Sequence, residues 1–258
     1  MGASRRVEAY IDGIALTQAV PGAIIRQITE DVPQTEQTAF SLPGTDGQRI
    51  LGVSRRSRKI SVEFVLREIH DLTLRAQMQE QAAAWAHDGI LTVSYRPDRR
   101  IRVRCTAPPV IGAARDYTQV LKAEFTAPMP WWEDAAETVF TMTGTSGTQN
   151  MRITGSTLYV PVTARITPTE ATLTTLSITC RGTSMSFSDL NVAAGTPLAI
   201  GYTDEGYLTI RAGTADWMSA RSPASSDELL IQPGFSNTVS FTANTAVTLE
   251  LSARGRYA

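Results

Sequence analysis

Histidine is nearly missing from this sequence: His70 and His87 are the only two in 258 residues. Serine and cysteine hydrolases need a base within hydrogen-bond reach of the nucleophile, so most of that chemistry is excluded at once. The two histidines flank a predicted helix, and a rise of about 1.5 Å per residue keeps its ends far apart. His70 reads as a surface residue ahead of the helix, and His87 as a last-turn cation that suits the helix dipole. Cysteine is equally scarce. Cys105 and Cys180 occupy apolar strand positions on opposite sides of the Pro128-Met129-Pro130-Trp131-Trp132 stretch, which predicts buried, reduced thiols rather than a bridge.

Other absences narrow the function further. No Cys-x-x-Cys, His-x-Glu or His-Glu-x-x-His spacing occurs, so neither a metal nor a cofactor is expected. Gly144-Thr145-Ser146-Gly147 lacks the lysine and helix of a phosphate loop and is expected to be a turn. The carboxylate pairs Asp204-Glu205 and Asp227-Glu228 are adjacent in sequence, and neighbours on a strand face opposite sides. They cannot flank a glycosidic bond together, so they read as turn residues and the chain as a non-enzyme. Formal net charge is only -1, which removes most of the electrostatic case for nucleic-acid or membrane-surface binding. The apolar runs are too short to span a bilayer, and no apolar segment follows Met1 to Arg6, so neither a membrane span nor a signal peptide is expected. With reduced thiols, this predicts assembly in a reducing cytoplasm.

What remains is mostly strand. Val7 to Leu16 reads as strand, turn, strand around Asp12-Gly13, and Ala23 to Thr29 as a further strand. Gln34 to Thr38 reads as a polar linker, and Leu42-Pro43-Gly44-Thr45-Asp46-Gly47 as a defined loop. From Lys59 to Arg67, Ile60, Val62, Phe64 and Leu66 alternate with polar residues, the pattern of a half-buried strand. One helix is predicted from Asp71, its N-cap, to about Ala86. Leu74, Met78, Ala82 and Trp85 are expected on its buried stripe, with Arg75, Gln79 and Glu80 away from it and Gly89 closing it at C′. Strands follow at Leu91 to Tyr95, Ile101 to Cys105 and Leu121 to Phe125, the last after a hairpin arm over Pro108 to Thr118.

The double-Pro, double-Trp stretch ends this pattern, because prolines cannot donate to a β-ladder. Beyond it, short strands recur with turns between them and no helical period, which predicts an all-β sandwich. The chain therefore divides into 1–133, a β-sheet or split-barrel domain with one packed helix, and 134–258, all β. The first part carries 17 Lys+Arg against 15 Asp+Glu, and the second 7 against 10.

Two features stand out as candidate sites. Arg55, Arg56, Arg58 and Lys59, the alternating Arg100, Arg102 and Arg104, and Arg115 in the arm form a cationic set suited to carboxylates of a neighbouring subunit or partner. Trp217, in Ala215-Asp216-Trp217-Met218, is the candidate for stacking on a sugar.

The order of parts resembles the distal tail proteins of long-tailed, siphovirus-type bacteriophages. The residues that carry the likeness are Tyr10-Ile11-Asp12-Gly13, Leu42 to Gly47, the Arg58-Lys59-Ile60-Ser61-Val62-Glu63-Phe64 strand and the helix from Asp71-Leu72 to Trp85. Gly89 to Val93, Pro128 to Trp132, the Leu229 to Val239 hairpin and the closing Val247 to Leu251 strand with Arg254-Gly255-Arg256-Tyr257 complete it. The resemblance implies a homo-oligomeric, usually hexameric, ring made by the N-terminal domain, with a galectin-like β-sandwich at its periphery. It implies a virion structural protein at the tail tip, with no cofactor, assembled in the host cytoplasm. The ring would join the tail tube protein to a tip hub protein, offer attachment to receptor-binding or adhesion proteins, and pass DNA only as cargo. Sugar-binding galectins use a His-Asn-Arg set with a Trp, and no histidine follows His87 here. The alternative expectation is a carbohydrate-binding module that recognises a bacterial surface glycan through the C-terminal sandwich.

Overall fold

The structure is a computed structural model that describes residues 6–40, 49–67, 70–110, 118–156, 159–203 and 206–257. The chain forms two compact units, Met1–Trp132 with Ala258, and Glu133–Tyr257. Both are dominated by strands, and the one long helix lies where the sequence predicts it.

In the N-terminal unit the order is β1 (Ala9–Ile11), β2 (Ile14–Ala15), α1 (Leu16–Ala19), β3 (Ala23–Glu30), β4 (Thr35–Phe40), β5 (Arg49–Arg55), β6 (Arg58–Leu66), α2 (Leu72–Trp85), β7 (Gly89–Val93), β8 (Arg96–Ala107) and β9 (Gln119–Ala127). The main sheet runs β2-β1-β7-β8-β9-β6-β3. Alternation on β6, β8 and β9 sends Ile60, Val62, Phe64, Ile101, Val103, Leu121, Ala123 and Phe125 inward, where all are buried. Trp85 of α2 packs edge-on against Phe125 with ring centroids 6.1 Å apart, and its Nε1 donates to the Ile14 carbonyl at 2.9 Å.

Asp12 and Gly13 join β1 to β2 with φ of 49° and 82°, the left-handed pair that a two-residue hairpin requires. The Asp12 carboxylate then accepts from Ile90 N at 2.8 Å and ties this turn to β7. A Cβ on Gly89 would sit 2.5 Å from that carboxylate, so Gly89 is fixed by this close approach. It opens β7 rather than capping the helix, and His87 lies beyond the last helical residue.

Asp71 caps α2 as expected, accepting from Thr73 N at 2.8 Å and Leu74 N at 3.3 Å. The buried face is rotated from the expected one. Arg75, Met78, Gln79, Ala82 and Trp85 are buried, whereas Leu74 is exposed. Gln79 is held by a hydrogen bond from its amide to the Gln119 side chain at the start of β9, which removes the desolvation penalty of placing it inward.

The polar segment read as a linker is strand β4, paired antiparallel with β5. The expected loop over Leu42 to Gly47 lies outside the described residues.

β10 (Trp132–Asp134) begins on the last residue of the N-terminal unit, and the C-terminal unit goes on with β11 (Thr138–Met151), β12 (Val160–Pro161), β13 (Thr163–Pro168), β14 (Leu176–Cys180), β15 (Thr183–Phe187), β16 (Leu198–Tyr202), β17 (Leu208–Ala212), β18 (Ala215–Asp216), β19 (Leu230–Ile231), β20 (Asn237–Ala253) and β21 (Arg256–Tyr257). Its main sheet runs β15-β14-β20-β13-β16-β17-β18, with β11 also paired to β20. The two strands expected on either side of Gly144 to Gly147 are one strand. The register shifts between Gly144, at φ 121°, and Ser146, where Thr145 alone stands opposite residues 243–246, so β20 carries the extra residues and bends there. β14 pairs with β20 up to Ala243 and β13 pairs with it from Val247, so the bend lets one strand serve both halves of the sheet. Asn244 staples the bend, accepting from Thr174 N and Thr175 N at 2.8 and 3.0 Å and donating to the Thr172 carbonyl at 3.1 Å. A single core unites the halves, with Ile166, Ile178, Met185, Ile200, Ile210, Phe241 and Leu249 among its members.

Candidate interaction site

The cationic set predicted from sequence falls into three groups. The first is an outward row on the N-terminal sheet. Register places Arg104 beside Thr126, and Thr126 beside Lys59, so these share one face of β8, β9 and β6. Arg102 precedes on the same face, opposite Ile90 on β7, and both it and Arg104 are exposed while Arg100 is half-buried. Acids interleave with this row. Glu124 pairs with Lys122 at 2.6 Å, and Glu63 with Arg26 at 3.3 Å. Hydrogen bonding to Lys122, with the charges of Lys122 and Lys59, holds the Glu124 carboxyl below the usual range. None of Arg100, Arg102 and Arg104 is without an interaction within the chain.

Arg55 and Arg56 form the second group, at the base of the β4–β5 hairpin. Arg55 lies over the Trp131 ring, 4.4 Å from its centroid, and Arg56 pairs with Glu36 across the hairpin. The strands β4 and β5 pair with each other and with no third strand among the described residues. Residues 35–39 are all exposed. A two-stranded ribbon with open edges is marginal by itself in water and is a template for pairing with another chain.

Arg58 is the third group, and it leaves the outward set. Its side chain is only 5% exposed, donating from Nε to the Pro130 carbonyl at 3.0 Å and from Nη1 to Glu30 at 2.9 Å. Glu30, at the end of β3, also receives Arg96 at 3.0 Å, the Tyr95 hydroxyl at 3.0 Å and Trp132 Nε1 at 2.9 Å. Burial raises the Glu30 pKa, but the Trp132 hydrogen bond, the Arg96 charge and the bonds from Tyr95 and Arg96 outweigh it. The carboxyl is therefore held below its ordinary value. Burial, and the negative Glu30 that it faces, push the Tyr95 hydroxyl up to about 12. This carboxylate holds Trp132, the last residue of the N-terminal unit before the boundary. Sequence reading missed Glu30, since an isolated Glu at a strand end carries no local signal. Arg115 lies outside the described residues.

Trp217 is half-buried and packs against the core of the C-terminal unit, with Nε1 buried and unpartnered among the described residues. Its indole is thus a core-edge group rather than an open stacking platform. No cluster of three His, Cys, Asp or Glu side chains able to hold a metal occurs among the described residues. Burial and the nearby Asp88 carboxylate push the Cys105 thiol up, and burial pushes Cys180 up to about 12, so neither is a ready thiolate. His87 Nδ1 lies 2.8 Å from the Asp88 carbonyl and 3.9 Å from Asp12, with no hydroxyl or thiol bonded to it among the described residues. No described helix is long and apolar enough to cross a membrane.

The fold, a helix-backed β unit followed by an all-β unit, is similar to that of a solved phage protein. The particular solved structure is the Dit protein (gp 19.1) of phage SPP1, presented as a paradigm of the hub adsorption apparatus in phages infecting Gram-positive bacteria. It aligns over 96% of this chain and 98% of its own at 17% identity and a TM-score of 0.66. The phage P2 baseplate in its activated conformation with Ca aligns over 98% of both chains at 10% identity and a TM-score of 0.49. The same baseplate with Sr gives 11% identity and 0.48 over the same shares. No protein family model and no curated protein matches the sequence.

Proposed function

We propose that this chain is a distal tail protein: a structural, non-enzymatic component of a phage tail tip that assembles as a homo-oligomeric ring, hexameric by its resemblance to that family. The observation that carries the reading is the end-to-end coincidence of fold with the SPP1 Dit protein, which takes in both units in the same order. On this reading the ring is made by the N-terminal unit, and the C-terminal unit is its peripheral, galectin-like domain. Its partners are other copies of itself, the tail tube protein, a tip hub protein and adhesion proteins, and its place is the virion after assembly in the host cytoplasm.

The β4–β5 hairpin supports a head-to-tail ring. Such a contact needs two different surfaces on each subunit, and closure follows when their rotation divides the circle. A ribbon that leaves its own sheet supplies one of them, and the outward Arg102–Arg104–Lys59 row is placed to supply the other. Mass photometry and negative-stain imaging of the purified full chain test this. Rings of about six copies are expected, and a monomer that persists over a wide concentration range would overturn it.

A further inference from the structure

A cleft of about 670 Å³ opens on the C-terminal unit, lined in part by Tyr207 just ahead of β17, Leu208 of β17, Met218 and Arg221 after β18, and Asp227 and Glu228 ahead of β19. That volume is in the range of small-ligand sites. The chemistry of the lining is mixed. Tyr207 is 71% exposed, so its ring is available to a ligand, whereas the neighbouring Trp217 is committed to the core edge. Arg221 is 16% exposed and fixed in place, its Nη2 donating to Asp227 at 2.6 Å and to the Ser225 carbonyl at 3.3 Å. Glu228 is half-buried, and its carboxylate makes no hydrogen bond or ion pair with any described residue.

We infer that this cleft binds a saccharide, and a neutral or amino sugar rather than an acidic one. Two carboxylates against one guanidinium give the lining a net negative charge, which opposes a uronic or sialic acid. A sugar hydroxyl both donates and accepts. It can therefore donate to Glu228 while accepting from the remaining N–H groups of Arg221, which a purely cationic or purely anionic ligand cannot do. An exposed phenol beside fixed polar groups supplies the apolar face that a pyranose ring stacks on. Arg221 is held by Asp227 and the Ser225 carbonyl before any ligand arrives, so little ordering of that side chain remains to oppose binding. This inference does not depend on ring assembly.

The test is a glycan array of neutral, amino and uronic-acid oligosaccharides probed with labelled full-length protein, repeated with Tyr207→Ala and with Glu228→Gln. Neutral or amino sugars are expected to bind, and each variant to weaken them by about tenfold or more at an unchanged melting temperature. Tyr207 is mostly solvent-facing, so its truncation leaves the fold intact. The inference fails if no sugar binds at about 100 µM protein, if uronic acids bind best, or if Tyr207→Ala has no effect. It also fails if a parallel array of basic peptides is bound in place of the sugars. Mass photometry on the same samples separates this outcome from failure of the ring.

Discussion

At the scale of single residues, Glu30 decides more than any other side chain in the N-terminal unit. It collects Arg58, Arg96, Tyr95 and Trp132, and Arg58 has no other acidic partner among the described residues. Bonds to charged groups contribute about 1.5–3 kcal/mol each, so Glu30→Gln is expected to cost about 2 kcal/mol at neutral pH, measured by urea unfolding. The pH dependence has a definite sign. The folded carboxyl has a lowered pKa, so its contribution is present above the unfolded value of about 4.3 and is lost as pH falls through the lower folded value. The gap between wild type and Glu30→Gln should therefore narrow progressively as pH falls below about 4.3, and a gap that stays constant through acid unfolding would refute the assignment. Tyr95 works in the opposite direction. Its raised pKa of about 12 means the unfolded chain ionises first, so stability falls between about pH 10 and 12. Asn237 plays a comparable part in the other unit. It is 1% exposed, its Oδ1 accepting from Gln232 N at 2.8 Å while Nδ2 donates to the carbonyls of Gln232, Phe235 and Met151. Asn237→Ala leaves those groups buried without partners, and a loss of about 1–3 kcal/mol in chemical unfolding is expected.

At the scale of elements, the sequence was most readable where periodicity is strict. The alternating β6 and the Asp71-capped helix were located to within a residue or two, since period two and an N-cap are local signals. The helix phase was not. Its buried stripe contains Arg75 and Gln79, and their burial depends on partners elsewhere in the fold, such as Gln119. Similarly, Gly144 to Gly147 has turn composition but continues a strand through a register shift, because β20 opposite it supplies a ladder no local rule could foresee. The Gly147 Cβ position lies 2.8 Å from the Phe241 ring, so that glycine answers to packing rather than to a turn. The β4–β5 ribbon was missed for a related reason: both of its faces at residues 35–39 meet solvent, so no apolar alternation marks it. The same property yields a prediction. Amides of β4 and β5 should exchange with deuterium quickly in dilute monomer and slowly in the assembled ring, read by mass spectrometry, whereas β6 stays protected in both. Equal protection of the ribbon in both states would remove it from the subunit contact.

At the scale of the whole chain, two units with separate cores predict two unfolding events. The C-terminal core cluster draws all its members from residues 142–253, and none from the N-terminal sheet. Calorimetry should therefore resolve two transitions, with Glu30→Gln lowering one and Leu249→Ala, a buried core truncation, lowering the other by several degrees. Pro128 to Trp132 marked this division in the sequence, because two prolines interrupt a ladder whatever follows them. The candidate surface was less legible: nothing local separated Arg58, whose acid lies at the end of another strand, from the cations beside it that face outward. Assembly then gives the two transitions different behaviour. Self-association stabilises only the unit that makes the contacts, by an amount that grows with the logarithm of concentration. If the N-terminal unit forms the ring, its transition should rise over a hundredfold increase in protein concentration while the C-terminal one stays fixed. Arg102→Glu with Arg104→Glu, exposed and outside both cores, should abolish that rise, while the midpoint in dilute solution reads separately what their contacts within the chain contribute. A C-terminal transition that shifts with concentration instead would place the subunit contact on the other unit.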